Sequence, residues 1–189
     1  GAWPAPINIV EERTVGPDLG KDSIDAGIFS LIVGFLLVII FMFIKYRIFG
    51  LVSNISLIAN LFMMVGILTI LEATLTLPGI AGIILTVGMA VDSNVLIYER
   101  IKEELRTEKS IIHAFDTGYN KAKITVIDAN VTTLIAAAIL FIFGSGPVKG
   151  FAVTLGIGII TTLFSAYFIA RHLTSVIVLK DKKAKYFKL

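Results

Sequence analysis

Five stretches of roughly twenty residues run almost without a charge, at 26–44, 48–71, 77–98, 124–143 and 150–170. A bilayer core about 30 Å thick is crossed by about 20 residues of helix rising 1.5 Å each. Inside lipid the backbone has no water to bond, so a spanning segment must satisfy its own amides, as a helix does. Composition supports this: 56% of residues are hydrophobic and 16% charged, with a mean hydropathy of +0.89. One soluble core of this size cannot hide so much apolar surface. The separators carry turn chemistry: Lys45-Tyr46-Arg47, then Glu72 to Pro78, then Gly144-Ser145-Gly146-Pro147. The predicted fold is an all-α membrane protein with five transmembrane helices.

Five spans leave the two ends on opposite sides of the membrane. One side receives Lys45, Arg47, Arg100, Lys102, Arg106, Lys109, Lys121, Lys123, Arg171, Lys180, Lys182, Lys183, Lys185 and Lys188, fourteen in all. The other receives three: Arg13, Lys21 and Lys149. The positive-inside bias makes the fourteen-charge side cytoplasmic and puts the N-terminal segment outside.

Residues 1–25 read as the end of an external domain, with strand-like alternation in Ile7-Asn8-Ile9-Val10-Glu11-Glu12 broken by Gly16-Pro17. No basic region followed by an apolar run opens the chain, so no signal peptide is expected there. The membrane domain covers 26–170 and a basic tail covers 171–189. The tail suits an anionic lipid surface better than nucleic acid. Within the membrane domain, the connection 99–123 carries Ile101, Leu105, Ile112 and Phe115 at helical spacing, with Arg100 and Glu104 among its charges. It is predicted to be an amphipathic helix lying along the inner membrane surface.

Two acids break the apolar pattern. Asp92 lies inside the third span, in Gly88-Met89-Ala90-Val91-Asp92-Ser93-Asn94, and Asp128 lies four residues into the fourth. A charge at a helix centre costs about 2.5–3.5 kcal/mol on insertion scales, so an intramembrane acid marks a functional site by default. Ala81, Gly82 and Gly88 suggest a small-residue face that carries Asp92 into the bundle. The third and fourth spans are antiparallel, which puts both acids at comparable depth. His113 and His172 have no second ligand-type residue nearby, and no Gly-x-x-x-x-Gly-Lys loop occurs. No metal, cofactor, nucleotide use or enzyme activity is expected.

Four ordered motifs resemble the SecD-type members of the SecD/SecF family of protein-export membrane proteins, within the RND superfamily. They are Leu77-Pro78-Gly79-Ile80-Ala81-Gly82 with Gly88 to Arg100, Asp128-Ala129-Asn130-Val131-Thr132-Thr133-Leu134-Ile135, Gly144 to Ala152, and Pro4-Ala5-Pro6 with Glu12 to Gly16. The resemblance covers nearly the whole chain. It implies an RND-type half-bundle in the bacterial inner membrane, paired with a SecF-like subunit beside the Sec translocon channel. Proton motive force would there assist translocation of a preprotein substrate. It further implies a proton relay of Asp92, Asn94 and Asp128, with a basic residue contributed by the partner. Ser93 stands where that family usually has alanine. An RND exporter of lipids or small molecules, and a passive membrane scaffold, are the competing readings.

Overall fold

The structure, a computed structural model, describes residues 17–107 and 110–180. The strand-like segment at 7–12 and the tail beyond 180 lie outside the described residues. Six α-helices account for almost all of the rest: α1 Pro17–Tyr46, α2 Ile48–Ile70, α3 Leu77–Thr107, α4 Ile111–Phe143, α5 Pro147–Phe164 and α6 Arg171–Lys180. A π-helical turn, Ser165–Ala170, joins α5 to α6, so Pro147–Lys180 is one continuous rod. Among the described residues, five rods are therefore long and apolar enough to cross a bilayer.

Local chemistry sets the breaks between them. α1 and α2 are separated by Arg47 alone, at φ 53°. α2 ends in a Schellman arrangement: the Ala73 amide donates to Leu68 O (3.0 Å) and the Glu72 amide to Thr69 O (3.1 Å), with Glu72 left-handed at φ 51°. Thr76 caps α3, its Oγ1 accepting the Gly79 amide at 3.2 Å, and Pro78 occupies the first turn. α5 opens without a side-chain cap, Gly146 turning at φ 49° and Pro147 taking the first helical position.

Burial ranks the rods. In their most apolar stretches 56% of α3 and of the α5 rod is buried, against 17% of α4 and 6% of α1. α3 and α5 form the central pair, and α1 and α4 lie outside it. The largest core cluster sits at the basic end and is rich in aromatics. Tyr98 meets Tyr46 and Phe49 there, with ring centroids 5.5 and 5.9 Å apart, and Tyr119 meets Phe115 and Tyr167 at 4.9 and 6.3 Å.

The connection 99–123 departs from expectation. It is not a surface-lying helix: α3 runs on to Thr107 and α4 starts at Ile111, so both rods project past the apolar zone as a hairpin. Ile101 and Phe115 are buried in it, and Lys121 Nζ bridges to Glu104 at 2.8 Å. The helical period was real, but the apolar face found a neighbouring helix, which also supplies a charge partner that lipid cannot.

Candidate functional site: an acidic face on α3 and α4

α3 turns through about 100° per residue, so positions three and four apart share a face. Ala81, Leu85, Asp92 and Leu96 fall on one such face and all are exposed. Gly88 belongs to it too, and a methyl group added there would meet nothing within 4 Å. Gly82, one residue from Ala81, looks the other way, where an added carbon would collide with Thr154 Oγ1 of α5. The small residues thus serve two faces. The expectation that Asp92 points into the bundle is corrected: the packed sides of α3 are taken by α4 and α5, and the acid faces outward.

Asp128 is exposed on α4. The two rods meet where Gly118 lies 2.8 Å, measured from an added side-chain carbon, from Ile101 Cα. Counting back from that contact, Asp92 lies about 14 Å and Asp128 about 15 Å toward the opposite end. The acids therefore share a depth. Among the described residues, neither carboxylate has a hydrogen-bond or ion-pair partner.

Asn94 is separated from these acids. It lies on the far side of α3 and is buried, with Nδ2 donating to Ala90 O at 3.3 Å and Oδ1 unpaired. Asn130 on α4 behaves likewise, donating to Val126 O at 2.7 Å with Oδ1 unpaired. Ser93 is also buried and returns its hydroxyl to Met89 O at 3.0 Å. Of the three relay residues named from sequence, two share the outer face and the third looks inward.

Below the acids, charges are held by partners. Glu99 accepts from Tyr46 Oη at 2.7 Å and pairs with Lys102 at 3.1 Å and Lys45 at 3.7 Å, tying α1 to α3. Arg100 reaches Glu103 at 2.6 Å and Glu104 at 3.3 Å.

A second polar seam went unnoticed in the sequence. Ser53, Ser56 and Asn60 are buried along one face of α2. Asn60 Nδ2 donates to Thr162 Oγ1 at 3.1 Å, and Ser56 Oγ donates to Ser165 O at 3.1 Å, at the first residue of the π turn. Ser56 thereby ties α2 to the start of the wider π turn. The spacing of three and four residues was the available signal. Among the described residues no three His, Asp or Glu side chains gather as a metal-holding group.

The family described as "Protein export membrane protein SecD/SecF, C-terminal" matches residues 4–180. The protein translocase subunit SecD of Magnetococcus marinus is 52% identical over 185 residues, covering 98% of this chain and 35% of that protein. That of Desulfurispirillum indicum is 56% identical over 178 residues, covering 94% and 35%. The chain thus spans about a third of the length of these relatives. The crystal structure of SecDF from Thermus thermophilus, described as a translocon-associated membrane protein, superposes with a TM-score of 0.86 at 44% identity, over 90% of this chain and 24% of that one.

Proposed function

The chain belongs to the SecD/SecF family of protein-export membrane proteins, and from that premise we propose that it is the membrane-embedded part of a Sec export subunit driven by the proton motive force. One observation carries the reading: Asp92 lies within an apolar span yet stands on the outer face of its own bundle with no partner. Left in lipid, an ionised carboxylate there costs about 2.5–3.5 kcal/mol. A second helical half covering this face removes that cost and supplies a counter-charge, the place for a SecF-like subunit. Gly88 and Ala81 leave room for close approach there. Asp92 then carries the proton, with Asp128 at the same depth as its neighbour.

Each charge crossing 100 mV releases about 2.3 kcal/mol, enough to bias a conformational step of the outer domains. Fourteen basic residues against three favour a cytoplasmic C-terminal end, and membership of the family favours the bacterial inner membrane. The preprotein and the Sec channel are the partners this assignment requires.

The test is Asp92→Asn in the full-length protein with its partner half present. Preprotein export is followed with and without a proton gradient. The gradient-dependent increment is expected to vanish while the complex still assembles. Unchanged export would make the acid structural and favour a passive scaffold.

A further inference from the structure

A cavity of about 540 Å³ opens at the basic end, between the first turns of α4 and the rod formed by the π turn and α6. It shares no residue with the acidic face, and its volume suits a small ligand, for which sites run about 300–1,000 Å³. Counted from Pro147, about twenty residues of helix cross an apolar core, which brings the rod to the membrane boundary near Tyr167. Phe168 lines the cavity toward the bilayer, Arg171 and His172 lie one turn further on, and Ile112 and Leu179 stand toward the basic side.

The polar groups favour an anion. Arg171 Nη2 donates to Asp116 Oδ1 at 2.9 Å, and the guanidinium carbon sits 5.5 Å from the centre of the Tyr119 ring. This bond is single-pointed and joins side chains that are 38% and 61% exposed. Pairs of that kind contribute at most about 1 kcal/mol. A phosphate presents two oxygens to the same fork, a stronger arrangement. His172 follows Arg171 directly, and Tyr167 lines the cavity with its Oη buried and without an acceptor. α4 begins beside this space with no side-chain cap, which adds the positive end of a 33-residue helix.

The apolar groups favour a hydrocarbon chain. Phe168 and Leu179 are 65% and 57% exposed. Phe168 stacks on Phe164 at 4.9 Å, which carries the apolar wall toward the bilayer centre. A free anion would leave those surfaces unmatched, and a lipid tail alone would leave Arg171 unmatched. One amphiphile satisfies both. We propose that this cavity seats an anionic phospholipid, its phosphate on Arg171 and an acyl chain along Phe168 and Phe164. Basic recesses between membrane helices on the cytoplasmic side suit such head groups. The inference stands on the cavity and does not depend on Asp92 as a proton carrier.

Site-selective fluorescence quenching tests it. Phe168→Trp is placed in the full-length protein with its partner half, all other tryptophans, Trp3 included, being replaced by phenylalanine. Phe43→Trp, exposed on α1 near the same end, is the control. Both are reconstituted in vesicles of phosphatidylcholine and phosphatidylglycerol, with bromine on one lipid at a time. The reporter at 168 is expected to prefer phosphatidylglycerol about fivefold, the attraction that about one arginine supplies, and the reporter at 43 to show no such preference. Equal preference at the two positions would reduce the effect to general surface charge and overturn the site. Quenching at 168 by neither lipid would mean that protein covers the cavity, and loss of the preference in excess inorganic phosphate would make it a site for small anions. Either result overturns the proposal.

Two charge variants separate a lipid site from a structural ion pair. Arg171→Gln and Asp116→Asn break the same bond. The first is expected to abolish the preference at 168, the second to keep or raise it, because it frees the arginine and removes a competing carboxylate. Equal losses in both would leave the pair a structural tie and the proposal refuted. The comparison of positions 168 and 43 needs neither variant, so it decides the matter if one of them fails to assemble.

Discussion

At the residue scale, the outer end of α3 depends on one hydroxyl. Thr76 Oγ1 takes the Gly79 amide at 3.2 Å, in a turn where Pro78 already removes one donor. Loss of an N-cap of this kind costs about 1 kcal/mol. Thr76→Ala is therefore expected to speed hydrogen exchange in the first turn of α3 about fivefold, with little change at its far end. Unchanged exchange would mean that helix packing, rather than the cap, holds the turn. Thr76 also fills space beside Gly150, where an added carbon would lie 2.7 Å from its Oγ1, so serine is the cleaner control.

At the scale of elements, the α3–α4 hairpin is held by a close backbone approach. A methyl group at Gly118 would stand 2.6 Å from Ile101 Cγ1 and 2.8 Å from Ile101 Cα, and the second of these atoms cannot rotate away. Overpacking of this sort costs about 1–3 kcal/mol. Gly118→Ala should lower the unfolding free energy in mixed micelles by that amount. Gly88→Ala, on the open face, should stay within about 0.5 kcal/mol of the parent. Equal losses at the two positions would contradict the packing described here. The hairpin also carries Lys121 against Glu104, whose side chain is only 7% exposed, so its charges and its apolar seam favour the same pairing of helices.

For the whole molecule, the uneven burial of the five rods is the informative feature. α3 is a central rod, yet it keeps one face open, and that face bears the acid. If a second half covers it, bulk at Gly88 should block assembly without unfolding the chain. Gly88→Leu is expected to abolish co-purification with the partner half while protease resistance of the five-helix unit persists. Co-purification at the parental level would place the interface elsewhere and leave Asp92 to be covered by other means. α1, the most exposed rod, presents Phe29, Leu37 and Ile44, its exposed Ser30 hydroxyl turned back onto Ala26 O at 2.8 Å, and suits a lipid boundary.

Five rods, the turns between them away from the basic side, and the odd acids at positions 92 and 128 were legible in the amino-acid order, whereas the extensions of α3 to Thr107, of α4 back to Ile111 and of the fifth rod to Lys180 were not. Apolar length is a one-dimensional property, and a charge inside it is visible without any fold. Turn residues such as Pro78 and Gly146 act within a few residues of themselves and were equally open to reading. The direction in which Asp92 faces was not. Periodicity shows that a helix has faces but not which neighbour takes each, and Ala81 and Gly82 lie about 100° apart on different ones. The 99–123 segment shows the same limit, since an apolar stripe suits lipid or another helix until Lys121 is seen beside Glu104. The π turn at Ser165–Ala170 receives a donor from Ser56 of α2, more than a hundred residues away in the chain. Such features belong to contacts between distant segments, and only the packed bundle brings those segments together.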